Sequence, residues 1–250
     1  MLITGATGDI GGALARAYAA PGCHLVLQGR NEQRLQEIHL ECAAKGASVE
    51  TKILDIRDTP ALIAWISELA ARQNIDLALI NAGAINVLRA PGATESWPDI
   101  ENILDVNIGA ALATVSALLP HMIQRRSGQI ALISSLLAFF GMPSAPTYSA
   151  SKAALKVYGE ALRPLLAREG VKINVVMPGF VRSSMCDKLT VRKPFMIEPD
   201  EAAQRIKRGL SKNQPRISFP WPLALGAWLL STLPSALSQQ IVSFLKYDRP

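Results

Sequence analysis

The segment Tyr148-Ser149-Ala150-Ser151-Lys152 places a phenol and an amine at i and i+4, which on a helix is one face. An ammonium beside a phenol favours the phenolate, so Lys152 is expected to draw Tyr148 down from about 10 towards neutrality. A phenol tuned in this way gives a proton to a carbonyl oxygen, or takes one from an alcohol. Tyr-x-x-x-Lys is common by chance, so the pair needs company. Thirteen residues before Tyr148, Ser135 closes an apolar run; a hydroxyl there can hydrogen-bond the same substrate oxygen. Ser134 beside it reads as a bystander.

A second group of residues could hold phosphates. Thr4-Gly5-Ala6-Thr7-Gly8-Asp9-Ile10-Gly11 follows a short apolar run and opens a helix-like stretch. Glycines allow a tight turn and close backbone approach, and a helix N-terminus offers N–H groups and partial positive charge to a pyrophosphate. Only three residues precede Thr4, so either the first strand is short or the natural start lies elsewhere. The next apolar run ends in Gln28-Gly29-Arg30-Asn31. An acid at that place would hold a ribose 2′-hydroxyl. Here there is none, and Arg30 can grip a 2′-phosphate with two parallel hydrogen bonds. The expectation is NADP(H) in preference to NAD(H), against the alternative of a solvated loop arginine.

Six short runs rich in Val, Ile and Leu could position these groups, at residues 2–3, 24–27, 49–54, 77–80, 129–133 and 172–177. Stretches with helical apolar spacing lie among them, at 11–20, 32–44, 60–72, 100–125 and 148–169. Strands alternating with helices predict an α/β, Rossmann-type, doubly wound parallel sheet. No repeat or low-complexity linker divides the chain, so 1–250 is expected to be a single domain. Each strand ends in small or polar residues, and ligands of open parallel sheets sit beyond the carboxyl ends of the strands.

Together these residues resemble the short-chain dehydrogenases/reductases, in the subgroup whose chains match this one's 250 residues. The resemblance runs from Thr4 to Ser183 and rests on ordered elements: the glycine turn, Asp55, Asn81-Ala82-Gly83, Asn107, Ser135, Tyr148-x-x-x-Lys152 and Pro178-Gly179. It implies that Tyr148 is the general acid/base, that Lys152 also holds the nicotinamide ribose, and that Ser135 polarises the substrate carbonyl. Asn107 would hold a water that relays protons through Lys152. Gly5, Thr7, Gly8, Asp9, Ile10 and Gly11 would carry the pyrophosphate. Asp55 and Ile56 would flank the adenine, Asn81, Ala82 and Gly83 would build the crevice, and Pro178, Gly179 and Val181 would face the nicotinamide. Ser183 keeps a hydroxyl for its carboxamide. The pattern departs from this subgroup at Asp9, which stands at the middle glycine. The resulting T-G-x-x-G-x-x-G spacing is similar to the longer subgroup that includes sugar-nucleotide epimerases and dehydratases, which keeps that activity as an alternative. A non-catalytic NADP-binding scaffold is the other.

Residues 183–250 are expected to supply substrate selection. Within 182–194, Met185, Cys186 and Leu189 suit a lid over an apolar substrate. Residues 217–245 carry no charge and are broken by Pro222 and Pro234, too often for a membrane span. They are expected to pack as a core element or subunit contact, to cap an apolar substrate pocket, or to make peripheral membrane contact helped by Trp221, Trp228, Lys246 and Arg249. A hydrophobic or acyl-chain ketone is the expected substrate.

The net charge is +6, with basic residues scattered. Arg205, Lys207, Arg208 and Lys212 share one helix without interleaved aromatics, so nucleic acid is not an expected partner. Cys23, Cys42 and Cys186 lack metal-ligand spacing and read as free thiols; no metal is expected. No leader pattern follows Met1, and the chain is expected to be cytoplasmic, with membrane-peripheral contact as the variant. A homodimer or homotetramer is expected through 100–125 and 148–169. The small-residue stretch 110–117 would suit that contact or pack on the protein's own sheet.

Overall fold

A computed structural model describes residues 1–88, 90, 92–189 and 191–244, without the side chains of Ser243 and Phe244. Leu245, Lys246 and Arg249 lie outside the described residues. Seven parallel strands form one sheet, in the order β3-β2-β1-β4-β5-β6-β7. They are β1 (Leu2–Thr4), β2 (His24–Gly29), β3 (Ser48–Ile53), β4 (Leu77–Ile80), β5 (Gly128–Ile133), β6 (Val171–Pro178) and β7 (Arg216–Phe219).

Parallel strands buried on both faces must be apolar on both, and alternate residues here feed two cores. Leu2, Ala78, Ile80, Ile130 and Leu132 pack with Leu62, Ile66 and Leu69 of α3 (Thr59–Arg72) and with Val115 and Leu118 of α5 (Ala110–Gln124). Ile3, Leu25, Leu27, Leu79, Ala131 and Ile133 pack with Leu14 of α1 (Asp9–Tyr18), Leu35 and Ile38 of α2 (Glu32–Ala43) and Ile206 and Leu210 of α8 (Pro199–Ser211).

The structure corrects two expectations and decides a third that the sequence left open. First, the described residues form seven strands, not six. Arg216–Phe219 pairs with β6 from Val175↔Arg216 to Pro178↔Phe219; four residues running into Pro220 and Pro222 were too short to read as a strand. Second, the stretch 100–125 is not one α-helix. It begins at α4 (Trp97–Leu104), passes through a π-helical turn at Asp105–Gly109 and continues as α5. Wide turns of this kind cluster at functional sites, and this one carries Asn107. Third, Ala110, Ala111, Ala113, Val115 and Ala117 are buried in the chain's own core, so the small-residue stretch serves internal packing. The span Trp97–Gln124 is apolar and long enough to cross a membrane, yet 56% of its apolar window is buried inside the fold. It is a core element.

Candidate active site

The carboxyl ends of the strands open into one cleft of about 900 Å³. At one end lies the phosphate turn. Gly5 has φ +64°, and a Cβ there would sit 2.7 Å from Ala82 Cα, so only glycine lets the turn rest against the end of β4. Thr4 Oγ1 accepts from the N–H groups of Asn81 (3.0 Å) and Ala82 (3.3 Å), and Asn81 Nδ2 donates to the carbonyls of Thr4 (3.2 Å) and Gly5 (3.1 Å). The Asn81 side chain therefore braces the turn. Gly8 precedes α1 with no side chain capping it, which leaves first-turn N–H groups for an anion.

Gly11 does not line the cleft. A Cβ there would meet Gly5 O at 2.2 Å and Asn81 Nδ2 at 2.8 Å, so it permits α1 to approach the turn from behind. Sequence reasoning missed Gln28, which is 2% exposed. Its Oε1 accepts from Gly5 N–H (3.0 Å) and its Nε2 donates to Leu54 O (2.7 Å). A lone polar residue inside the apolar run of β2 was the available signal, since a buried amide is expected to be fully bonded.

Further along, Arg30 is exposed at the rim and lines the cleft. Asp55, also lining it, pairs with Arg57 at 2.6 Å. The Arg57 guanidinium, through its hydrogen bonds, pulls the Asp55 carboxyl down to about 2. Ile56 is buried beside it. Thr7, Ile10, Ala82, Gly83, Pro178, Gly179, Val181 and Ser183 complete this wall.

The candidate catalytic group sits where β5 meets α6 (Pro146–Ala167). Ser134 Oγ donates to Lys152 O (2.6 Å), so the expected bystander pins α6 to the end of β5. Glu95 accepts from Thr147 N–H (3.1 Å) and Oγ1–H (2.6 Å) at the first turn of α6. Tyr148, Lys152 and Ser135 are all buried and all line the cleft. Lys152 Nζ stands 5.6 Å from the Tyr148 ring centroid and donates to Ile133 O (3.0 Å). Burial pushes Tyr148 up to about 12, against a smaller lowering by its hydrogen bond with Ser135. Burial pushes Lys152 down to about 8. This corrects the expectation that Lys152 draws Tyr148 towards neutrality. Both groups lose water in the same pocket, and desolvation disfavours the charged form of each.

Asn107, wholly buried, stands behind the cleft wall. Its Oδ1 accepts from Ala84 N–H (2.7 Å), and its Nδ2 donates to Ala84 O (3.0 Å) and Ser151 Oγ (2.8 Å). It therefore ties the π-turn to the chain after Asn81-Ala82-Gly83 and to α6. A Cβ on Gly83 would lie 3.4 Å from Lys152 Nζ and 3.5 Å from Asn107 Oδ1, which marks a small gap bordered by both.

The other end of the cleft is apolar. Leu136, Leu137 and Phe140 face Leu223, Ala227 and Leu230 of α9 (Trp221–Thr232) and Ile241 of α10 (Ser235–Phe244) across it. The uncharged C-terminal stretch thus supplies a strand and a cap on the pocket. From the side, 182–189 borders the cleft with Met185, Cys186 and Leu189. In it, Ser183 Oγ accepts from Cys186 N–H (3.0 Å) and donates to Val181 O (3.1 Å), so this hydroxyl caps the short helix α7 (Ser184–Asp187). The three cysteines are free thiols, and no group of three metal-ligating side chains occurs among the described residues.

The family model described as short chain dehydrogenase matches residues 1–193. An uncharacterized oxidoreductase of Myxococcus xanthus is 35% identical over 240 residues, covering 94% of this chain and 93% of that protein. A 3-oxoacyl-[acyl-carrier-protein] reductase of Rickettsia conorii is 33% identical over 192 residues, covering 77% and 76%. Among solved structures, a short-chain dehydrogenase from Sphingobium yanoikuyae in complex with NADPH superimposes with a TM-score of 0.82 at 23% identity, covering 100% of this chain and 97% of that one.

Proposed function

Since the chain belongs to the short-chain dehydrogenase family and is an oxidoreductase acting between CH–OH and C=O, we propose that it is an NADPH-dependent reductase of a hydrophobic or acyl-chain ketone. The carrying observation is one cleft with an anion-binding turn at one end, Ser135, Tyr148 and Lys152 at its centre, and leucines of α9 at the other.

The residues present fit a dinucleotide. The glycine turn and the uncapped start of α1 suit the pyrophosphate, Asp55 and Ile56 flank the adenine, and Arg30 meets a 2′-phosphate. A Cβ on Gly179 would crowd Leu223 (3.2 Å), Pro220 (3.2 Å) and Leu136 (3.3 Å), so glycine lets this part of the cleft wall pack closely where the nicotinamide would lie. When bound, the cofactor supplies the hydride; the chain's residues manage the oxygen and its proton. Ser135 donates to the substrate carbonyl oxygen and holds it beside Tyr148. The Tyr148 phenol, neutral because it is buried, gives its proton to that oxygen. Lys152 holds the nicotinamide ribose, and a water between Lys152 Nζ and Asn107 Oδ1 returns the proton. In reduction Tyr148 enters as the proton donor, because burial keeps the phenol protonated, pushed up to about 12. The relative that reduces 3-oxoacyl chains supports an acyl substrate.

A series of methyl ketones of increasing chain length tests the proposal, with NADPH and with NADH, in wild type and Arg30→Ala. The kcat/KM should rise with chain length, by about fourfold per methylene buried against α9. NADPH should be the better donor in wild type. Arg30→Ala should raise the KM for NADPH about tenfold and leave that for NADH unchanged. Equal use of both nucleotides by wild type would remove the NADP preference, and a flat chain-length profile would remove the apolar substrate.

The outer face of the same helices favours membrane-peripheral contact. Trp221, Leu225, Trp228 and Leu237 are between 46% and 73% exposed, with no charged residue between 217 and 245. Aromatic and aliphatic side chains on a charge-free helical face suit the interfacial region of a bilayer. The protein should sediment with anionic phospholipid vesicles, and Trp221→Ser with Trp228→Ser should abolish most of that binding while leaving reductase activity on a soluble ketone. Equal sedimentation of the double variant would refute this contact.

A further inference from the structure

Asp9 occupies the place of the family's middle glycine, and its side chain does something a glycine cannot. Its Oδ2 accepts from Ser184 N–H (3.0 Å) and Ser184 Oγ–H (3.3 Å), across 175 residues of sequence. Both residues line the cleft: Asp9 opens α1 beside the phosphate turn, and Ser184 opens α7 in the segment 182–189. That segment is anchored at its base. Val181 and Ile197 form a bridge, Arg182 N–H donates to Ile197 O (2.9 Å), Ile197 N–H donates to Phe180 O (3.1 Å), and Arg182 pairs with Glu198 at 2.7 Å. Its far side reaches the phosphate turn through Asp9.

We propose that Asp9 is a positioning residue whose carboxylate straps α7 to the phosphate turn, holds 182–189 against the cleft and slows departure of the dinucleotide. The proposal rests on the reading of this cleft as the NADPH site. A carboxylate in the first turn of α1 suits the helix dipole but would repel a pyrophosphate lying against the same N–H groups. With Oδ2 engaged by both Ser184 donors, the side chain is committed to α7. A glycine at 9 would remove the repulsion and also the strap, so the two effects have opposite signs and can be told apart.

Two variants separate them. Asp9→Gly restores the family's glycine. Ser184→Pro removes the N–H donor at the first helical position, where proline is tolerated. The release rate of NADPH is measured by stopped-flow nicotinamide fluorescence. In parallel, tryptic cleavage at Lys188, which is exposed within the segment, is followed in the protein without nucleotide. Each variant should release NADPH about tenfold faster and be cut faster at Lys188, and the double variant should add little to either single change, as expected of one broken contact. Release from Asp9→Gly that is unchanged or slower, with unchanged cleavage, would overturn the strap and leave Asp9 as a source of repulsion. Failure of the wild type to bind NADPH would overturn the dinucleotide reading and with it the retention role, while the cleavage rates without nucleotide would still report whether the strap exists.

Discussion

A Tyr148→Phe protein is expected to reduce its ketone about a thousandfold more slowly than wild type, with NADPH affinity changed by less than about twofold. The substitution removes one oxygen from a ring whose place is fixed by α6 and whose burial is already complete, so the fold has little reason to change. What disappears is the proton that meets the developing alkoxide, together with the hydrogen bond to Ser135. The loss should appear in kcat rather than in KM, because the interaction matters most once charge has begun to build on the oxygen. Single-turnover reduction with prebound NADPH is the measurement. A variant that kept a tenth or more of the wild-type rate would mean that another group donates the proton.

Lys152→Met should change two quantities at once. The kcat/KM should fall about a hundredfold, because Nζ borders both the Tyr148 ring and the gap beside Gly83. Stability should respond to pH in a direction set by burial. The ordinary lysine value is 10.5, and burial lowers the folded value to about 8. Below pH 8 both states carry the proton, and the folded state bears the cost of a buried charge. Between pH 8 and 10.5 the unfolded chain holds more protons, so stability rises with pH. Above that window both forms are neutral and the cost is gone. The wild type should therefore gain roughly 3 kcal/mol relative to Lys152→Met as pH rises through this window. Urea unfolding of both proteins at pH 7, 8, 9 and 10 measures the difference, and parallel curves would show that the amine is not desolvated in the folded state.

These two side chains also show how far sequence reading reaches. Their identity and shared helix face follow from i, i+4 spacing, and Ser135 from its place at the end of a strand. The carboxyl ends of parallel strands converge by topology, so nearly every residue expected in the cleft lines it. The exceptions share a physical cause. Gly11 and Asn107 are needed because of what packs on them from behind, and a motif does not tell a residue that faces a ligand from one that lets two pieces of backbone approach. The polar character of Gln28 was legible in the sequence, but its role was not: its two partners, Gly5 and Leu54, lie 23 and 26 residues away.

The alternation of apolar runs and helical stretches, the turn residues at strand ends and the residue types at fixed spacing determined the layered fold, the place of the glycine turn in the cleft and the grouping of Ser135, Tyr148 and Lys152. Those features depend on local conformation and on a topology that few chain paths satisfy. Tertiary structure alone decided the rest. It placed Arg216–Phe219 as the seventh strand, because a four-residue strand exists only through the neighbour it pairs with. It put the uncharged helices α9 and α10 at the apolar end of the cleft, where the sequence left three placements open. It reversed the direction expected for Tyr148, because desolvation depends on everything that excludes water from a pocket, whereas spacing along a helix reports only the nearest charge.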